Sequence, residues 1–154
     1  MSTSKPVPAE RFIVLLRHGI AEDAAPDQKD EERALTKKGR AEMKDIARGL
    51  KRVVKNVDAI YSSPLLRAMQ TAKRIAKVYD LDVTMTDALR PGASPKELLK
   101  GRVILIGHEP DLTETMRAIT GIKTGRVQLD KGGCYGIRDT TLEWVLTPRV
   151  LRKL

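Results

Sequence analysis

Two observations predict an α/β fold with a mainly parallel sheet held between two layers of helices, a three-layer α/β/α sandwich. The first is a pair of short, uninterrupted apolar runs, Phe12 to Leu16 and Val103 to Ile106. With no polar residue alternating in, such runs read as strands buried on both faces. The second is the helix-period apolar stripes that separate strand-like segments along the chain, an alternation that builds layered α/β folds.

Taken in order, Phe12–Leu16 is the first strand, and the acidic stretch from Ile20 to Glu32, with Pro26 inside it, reads as a loop. Thr36 is placed to cap a helix whose stripe is Met43, Ile46, Ala47, Leu50 and Val53 or Val54. Asp58 to Ser62 reads as a second strand. Ser63-Pro64 predicts a helix start, with serine as cap and proline in the first helical position. The stripe Leu65, Ala68, Ala72, Ile75, Ala76 and Tyr79 carries that helix on.

A short strand is expected near Val83, then a loop at Arg90-Pro91-Gly92-Ala93 and a capping box at Ser94-Pro95-Lys96-Glu97. After the Val103 strand, Asp111 to Thr120 reads as a helix, with Asp111 and Glu114 at capping-box spacing. Gly132-Gly133 and the alternating stretches Tyr135–Ile137 and Leu142–Leu146 predict antiparallel strands at the end.

A chain of 154 residues, 41% hydrophobic but 3% aromatic, fits one domain with an aliphatic core. We expect a tail at residues 1–10 and a single domain over 11–154. One cysteine, Cys134, rules out an internal disulfide and suits a small buried hydrophobe in a reducing compartment. No apolar run approaches the roughly 20 residues that a membrane helix needs, and residues 1–10 lack a signal-peptide pattern. A cytoplasmic location is expected. The net charge of +9 fits a solvated surface or an anionic substrate. Nucleic acid is not expected, because the basic residues look scattered and five aromatics are too few for a stacking platform.

In open α/β sheets, ligands bind beyond the carboxyl ends of the strands. The first strand runs into Arg17-His18-Gly19, the second into a helix carrying Arg67, and the Val103 strand into Gly107-His108-Glu109-Pro110. Both histidines of the chain and two arginines are thus expected on one sheet edge, with a helix N-terminus aimed at it. Arginine forks match phosphate oxygens, and a neutral imidazole can attack phosphorus. A second, protonated histidine would serve to neutralise the oxygens of the transferred group. Two histidines and one cysteine make a poor metal cage, so no metal and no cofactor are expected.

These residues resemble the signatures of the histidine phosphatase superfamily, the phosphoglycerate mutase-like fold. Leu16-Arg17-His18-Gly19 resembles the first signature, Ser62 to Ala68 with Gln70-Thr71-Ala72 the second, and Gly107-His108-Glu109-Pro110 the third. Within it the chain is similar to the small SixA-type phosphohistidine phosphatases, through Asp30 to Thr36, Gly39 and Arg90 to Pro95. The resemblance spans Phe12 to about Thr147. It implies that His18 is phosphorylated while Arg17, Arg67 and His108 hold the phosphoryl oxygens, with Arg33 a further oxygen ligand and no metal.

For a general acid the sequence offers Glu22, Asp30, Asp87 and Glu109. Glu109 follows the second histidine, where the superfamily's acid phosphatases carry an acidic residue; in the sequence it equally reads as a turn leading into a helix. A chain without a firmly placed acid, and without spare length for a lid, suits phosphohistidine on a partner protein of the histidine phosphotransfer type. The alternatives are a small phosphorylated metabolite such as a sugar phosphate or nucleotide, a mutase, and a non-catalytic phosphate-binding module.

Overall fold

The computed structural model describes residues 10–154, so positions 1–9 of the expected tail lie outside the described residues. Six strands, β1 (Phe12–Arg17), β2 (Ala59–Ser62), β3 (Val83–Met85), β4 (Arg102–Gly107), β5 (Cys134–Arg138) and β6 (Thr141–Leu146), form one sheet in the order β3-β2-β4-β1-β5-β6. The pairs β1–β4, β4–β2 and β2–β3 are parallel, while β5 runs antiparallel to both β1 and β6. This is the predicted sandwich, mainly parallel with an antiparallel margin.

The two apolar runs lie side by side in the middle and split their residues between two cores. Val14, Leu16, Ile104 and Ile106 face helices α1 (Lys37–Val53), α2 (Leu66–Tyr79) and α4 (Pro148–Lys153). Ile13, Leu15, Val103 and Leu105 face α3 (Asp111–Thr120) together with Leu89, Leu129 and Tyr135. Full burial of each such side chain contributes roughly 1.5–3 kcal/mol, which is why both faces need aliphatic residues.

Thr36 caps α1 as expected, its hydroxyl oxygen accepting from the Gly39 N–H at 2.8 Å. Glycine is needed at 39 because a Cβ there would collide with the Ile20 carbonyl. The first turn of α1 can therefore pack directly on the chain that leaves His18. At the far end, the Tyr79 hydroxyl donates to the Val54 carbonyl at 2.6 Å, tying α2 to α1.

Several local expectations change. The second helix starts at Leu66 rather than at Ser63-Pro64, and its cap position has no side-chain bond. Ser94 caps nothing: only a single 3₁₀ turn, Lys96–Leu98, follows Pro95. For α3, Asp111 is already helical and its carboxylate accepts from the Gly92 N–H, so Glu109 takes over as cap. The loop after His18 is more ordered than its composition suggests, with an Ala21–Leu35 bridge and a 3₁₀ turn at Asp30–Glu32. Helix α4 was not expected. Its signal was Thr147-Pro148, since Thr147 accepts from the Val150 N–H and proline fills the first turn.

Candidate active site

Because β1 and β4 are paired with Arg17 opposite Gly107, the residues that follow, His18 and His108, leave the sheet side by side. The His18 N–H donates to the Gly107 carbonyl at 3.2 Å, and the two rings lie 5.2 Å apart. Arg67, on the first turn of α2, completes the group. His18, Arg67 and His108 are 6%, 6% and 5% exposed, so only their tips reach solvent.

The His18 ring is held from both sides. Nδ1 lies 2.7 Å from the Gly19 carbonyl, which only accepts, so Nδ1 carries the proton. Nε2 is then unprotonated, and its lone pair accepts from Arg67 Nε at 3.3 Å. Burial pulls the ring's pKa from the usual 6.5 to about 3; the Gly19 bond opposes this, and the charges of His108, Arg67 and Arg17 add to it. His18 is therefore a neutral nitrogen base at physiological pH, the form that attacks phosphorus.

Gly19 is itself fixed, because its N–H donates to Thr71 Oγ1 at 3.0 Å while that hydroxyl donates to the Arg67 carbonyl. One threonine thus sets both sides of the His18 ring.

His108 is shaped by the same burial. Burial first, then the Arg67 charge, lowers its pKa to about 4, so in the ligand-free protein it is neutral rather than protonated. Its Nε2 lies 2.8 Å from Ser63 Oγ, and that oxygen accepts from the Leu65 N–H. Ser63, read from sequence as a helix cap, instead orients the second histidine. Nδ1 of His108 and Nε of Arg17 are buried with no hydrogen-bond partner among the described residues. Buried polar atoms without partners are rare; Arg17 Nε is a donor left for an anion, and His108 Nδ1 is one in the tautomer in which the Ser63 hydroxyl donates to Nε2.

The four carboxylates separate. Asp30 Oδ2 accepts from Arg67 Nη2 at 3.1 Å and Oδ1 from Arg33 Nη1 at 2.9 Å, with the Asp30 carbonyl also taking Arg67 Nη1. The Arg33 bond, with Arg67 behind it, holds the Asp30 carboxyl below the usual carboxylate range, so it is ionised. Arg33 itself binds Asp30 and the Glu22 carbonyl, not a histidine.

Glu109 accepts from the Thr113 N–H and hydroxyl and from the Leu129 N–H. The Leu129 carbonyl in turn accepts from Arg17 Nη1 at 2.7 Å. Asp87 faces Arg90 on the surface, and the Glu22 side chain is exposed. Sequence reading missed Thr71, Ser63 and Leu129 as positioning groups. Ser63 read only as a cap and Thr71 only as part of the second signature, while Leu129 left no signal.

An imidazole base beside guanidiniums, at the carboxyl ends of parallel strands, is the equipment of an enzyme that handles phosphoryl groups. The chain belongs to the histidine phosphatase superfamily (branch 1), whose sequence model matches residues 13–91. An uncharacterised protein of Picosynechococcus sp. is 33% identical, over 82% of this chain and 84% of that protein. Among solved structures, a protein assigned as phosphohistidine phosphatase SixA from Agrobacterium tumefaciens is similar at TM-score 0.76 and 26% identity, covering 90% of this chain and 98% of that one. A protein histidine phosphatase SixA complexed with tungstate matches at TM-score 0.77 and 23% identity, over 91% and 99% of the two chains. Phosphoserine phosphatase of Entamoeba histolytica with 3-phosphoglyceric acid matches at TM-score 0.65 and 16% identity, over 91% and 98%. Family and fold together support phosphatase activity.

No helix among the described residues is long and apolar enough to cross a membrane. Likewise, no group of three or more His, Cys, Asp or Glu residues among them is placed to hold a metal ion.

Proposed function

We propose that residues 11–154 act as one phosphatase domain that works through a phosphohistidine on His18, and that its substrate is phosphohistidine on a partner protein. Arg17, Arg67 and His108 hold the phosphoryl oxygens, the last through its Nδ1–H. The observation that carries the reading is the neutral His18 ring with its unprotonated Nε2 turned towards Arg67, in a site where no carboxyl group is poised as an acid. Asp30 is ionised on two arginines, and Glu109 is occupied by three donors.

In the first step the Nε2 lone pair forms a bond to phosphorus as the substrate's P–N bond breaks. The electron pair leaves with the partner's imidazole, whose other nitrogen takes its proton from solvent beforehand. With an ordinary pKa near 6.5, that ring needs no acid from the enzyme. Water then attacks phosphorus, the His18 N–P bond breaks, phosphate departs and the water's proton goes to solvent. Because Nδ1 keeps its proton on the Gly19 carbonyl, His18 leaves as neutral imidazole.

An alkoxide leaving group, by contrast, gains typically ~10²–10⁴-fold from a positioned acid. Rates on phosphohistidine, phosphoserine and a sugar phosphate, measured side by side, test the proposal. Phosphohistidine should lead by roughly 10²-fold or more in kcat/KM. A sugar phosphate turned over as well or better would assign the site to a small metabolite.

A further inference from the structure

The basic residues that look scattered in the sequence are gathered by the fold. Along the outer faces of α1 and α2 runs a groove of about 710 Å³ lined by Arg40, Lys44 and Arg48 from one helix and Lys73, Arg74 and Lys77 from the other. Among the described residues, only Arg48 of these six has a carboxylate within salt-bridge distance, that of Asp45. Like charges three or four residues apart repel, so two such rows cost helix stability unless an anion lies between them.

Both helices start at the sheet edge that carries the histidines, and the groove's head at Arg40 and Arg74 is set back from it, Arg74 lying about 10 Å along α2 from Arg67. Hydrogen bonds tie that head: Arg74 Nε donates to the Arg40 carbonyl, and Arg40 Nη1 to the Leu35 carbonyl at 2.7 Å. The Leu35 N–H donates to Gln70 on α2, and Arg33 lies two residues before it.

Arg40, Lys44 and Arg48 recur every fourth residue, as do Lys73 and Lys77, giving positive charges about 6 Å apart along each axis. An acidic helix with carboxylates at every fourth residue repeats at the same rise. The remaining lining, Ala41 and Val78, is small and apolar, and no aromatic ring is present for base stacking. A phosphate ion would meet two or three of these cations; a helix meets both rows.

We propose that this groove docks an acidic helix of the phosphorylated partner protein and so presents its phosphohistidine to His18. This rests on the reading of the substrate as a phosphorylated protein.

The test uses synthetic helical peptides that each carry one phosphohistidine beyond the helix end, with either Glu or Gln at every fourth position, alongside free phosphohistidine. The wild type is compared with a Lys44→Glu/Lys73→Glu/Lys77→Glu variant. The Glu peptide should exceed the Gln peptide roughly tenfold in kcat/KM, a typical electrostatic steering gain. That advantage should vanish in the variant and at about 0.5 M salt, where such charges are screened. Free phosphohistidine should be turned over equally by both proteins.

Equal rates on the two peptides, or an equal loss on free phosphohistidine, would overturn the docking role. So would duplex DNA that displaces the Glu peptide at matched charge. Fluorescence anisotropy with the unphosphorylated Glu peptide separates the two readings, because it needs no turnover. Binding without phosphohistidine cleavage supports the groove and sinks the substrate class; cleavage without binding sinks the groove alone.

Discussion

Two carboxylates touch the machinery around His18, and their surroundings could hardly differ more. Glu109, after β4, is enclosed by three donors from Thr113 and Leu129, and through Leu129 it braces Arg17. Asp30, in the 3₁₀ turn before Arg33, has a side chain 63% exposed and shares its oxygens between Arg33 and Arg67. One carboxylate builds the site and the other sits on its anion-binding arginine. In sequence both are acid candidates; in the fold, Asp30 is held ionised by its arginines and Glu109 has its oxygens taken by three donors.

Arg67 is where the comparison bears hardest, because it contacts both His18 and Asp30. Arg67→Ala should weaken tungstate binding by about 1.5–3 kcal/mol, the loss of a charge-assisted hydrogen bond, and lower turnover with it. Calorimetric titration with tungstate measures this; unchanged affinity would remove Arg67 from the phosphoryl site.

Glu109→Ala comes next. It leaves buried N–H groups of Thr113 and Leu129 unpaired, at a cost of about 1–3 kcal/mol each. Thermal denaturation should show a clear fall in Tm, and Arg17 should lose its anchor, raising KM. Asp30→Asn should barely move Tm. It weakens the pairing of a solvent-exposed carboxylate with Arg33 and Arg67, worth about 0.2–1 kcal/mol, so tungstate should bind up to roughly fivefold tighter. Because neither carboxylate is poised to protonate a leaving group, Asp30→Asn and Glu109→Ala should each change kcat on phosphohistidine and on alkyl phosphates by the same factor. The comparison breaks if Glu109→Ala leaves Tm unchanged, or if either change slows alkyl phosphates more than phosphohistidine.

The smallest effect near neutral pH concerns stability. His18 and His108 have folded pKa values of about 3 and about 4, both below the unfolded 6.5. Between those values the unfolded chain binds the extra protons, so stability falls as pH drops. The slope is about 1.4 kcal/mol per pH unit for each ring. Above pH 7 neither ring contributes. Chemical denaturation from pH 7 to pH 4 reads this slope, and tungstate should flatten it by favouring protonated His108.

Much of this was legible beforehand because it depends on patterns that report burial directly. The uninterrupted runs at Phe12–Leu16 and Val103–Ile106 can only be central strands, and the strand-end rule then gathers Arg17, His18, Arg67 and His108. What escaped depends on competition between partners in space. Ser63 has the sequence of a cap, yet the oxygen faces His108, and Asp111 yields its capping role to Glu109. The low pKa of His108 escaped for a similar reason, since burial is a property of the folded edge and not of the residue. The groove of six cations was invisible because α1 and α2 are separated by β2 and become neighbours only on the sheet face.

The central claim is that His18 accepts the phosphoryl group. Enzyme mixed with a radiolabelled phosphoryl donor, quenched within milliseconds in base and separated under denaturing conditions, reports the covalent intermediate. The account predicts label on the wild-type protein that is released by acid, and none on a folded His18→Ala variant, which should also lack turnover. Equal labelling of the two proteins, or turnover retained in the variant, would contradict it.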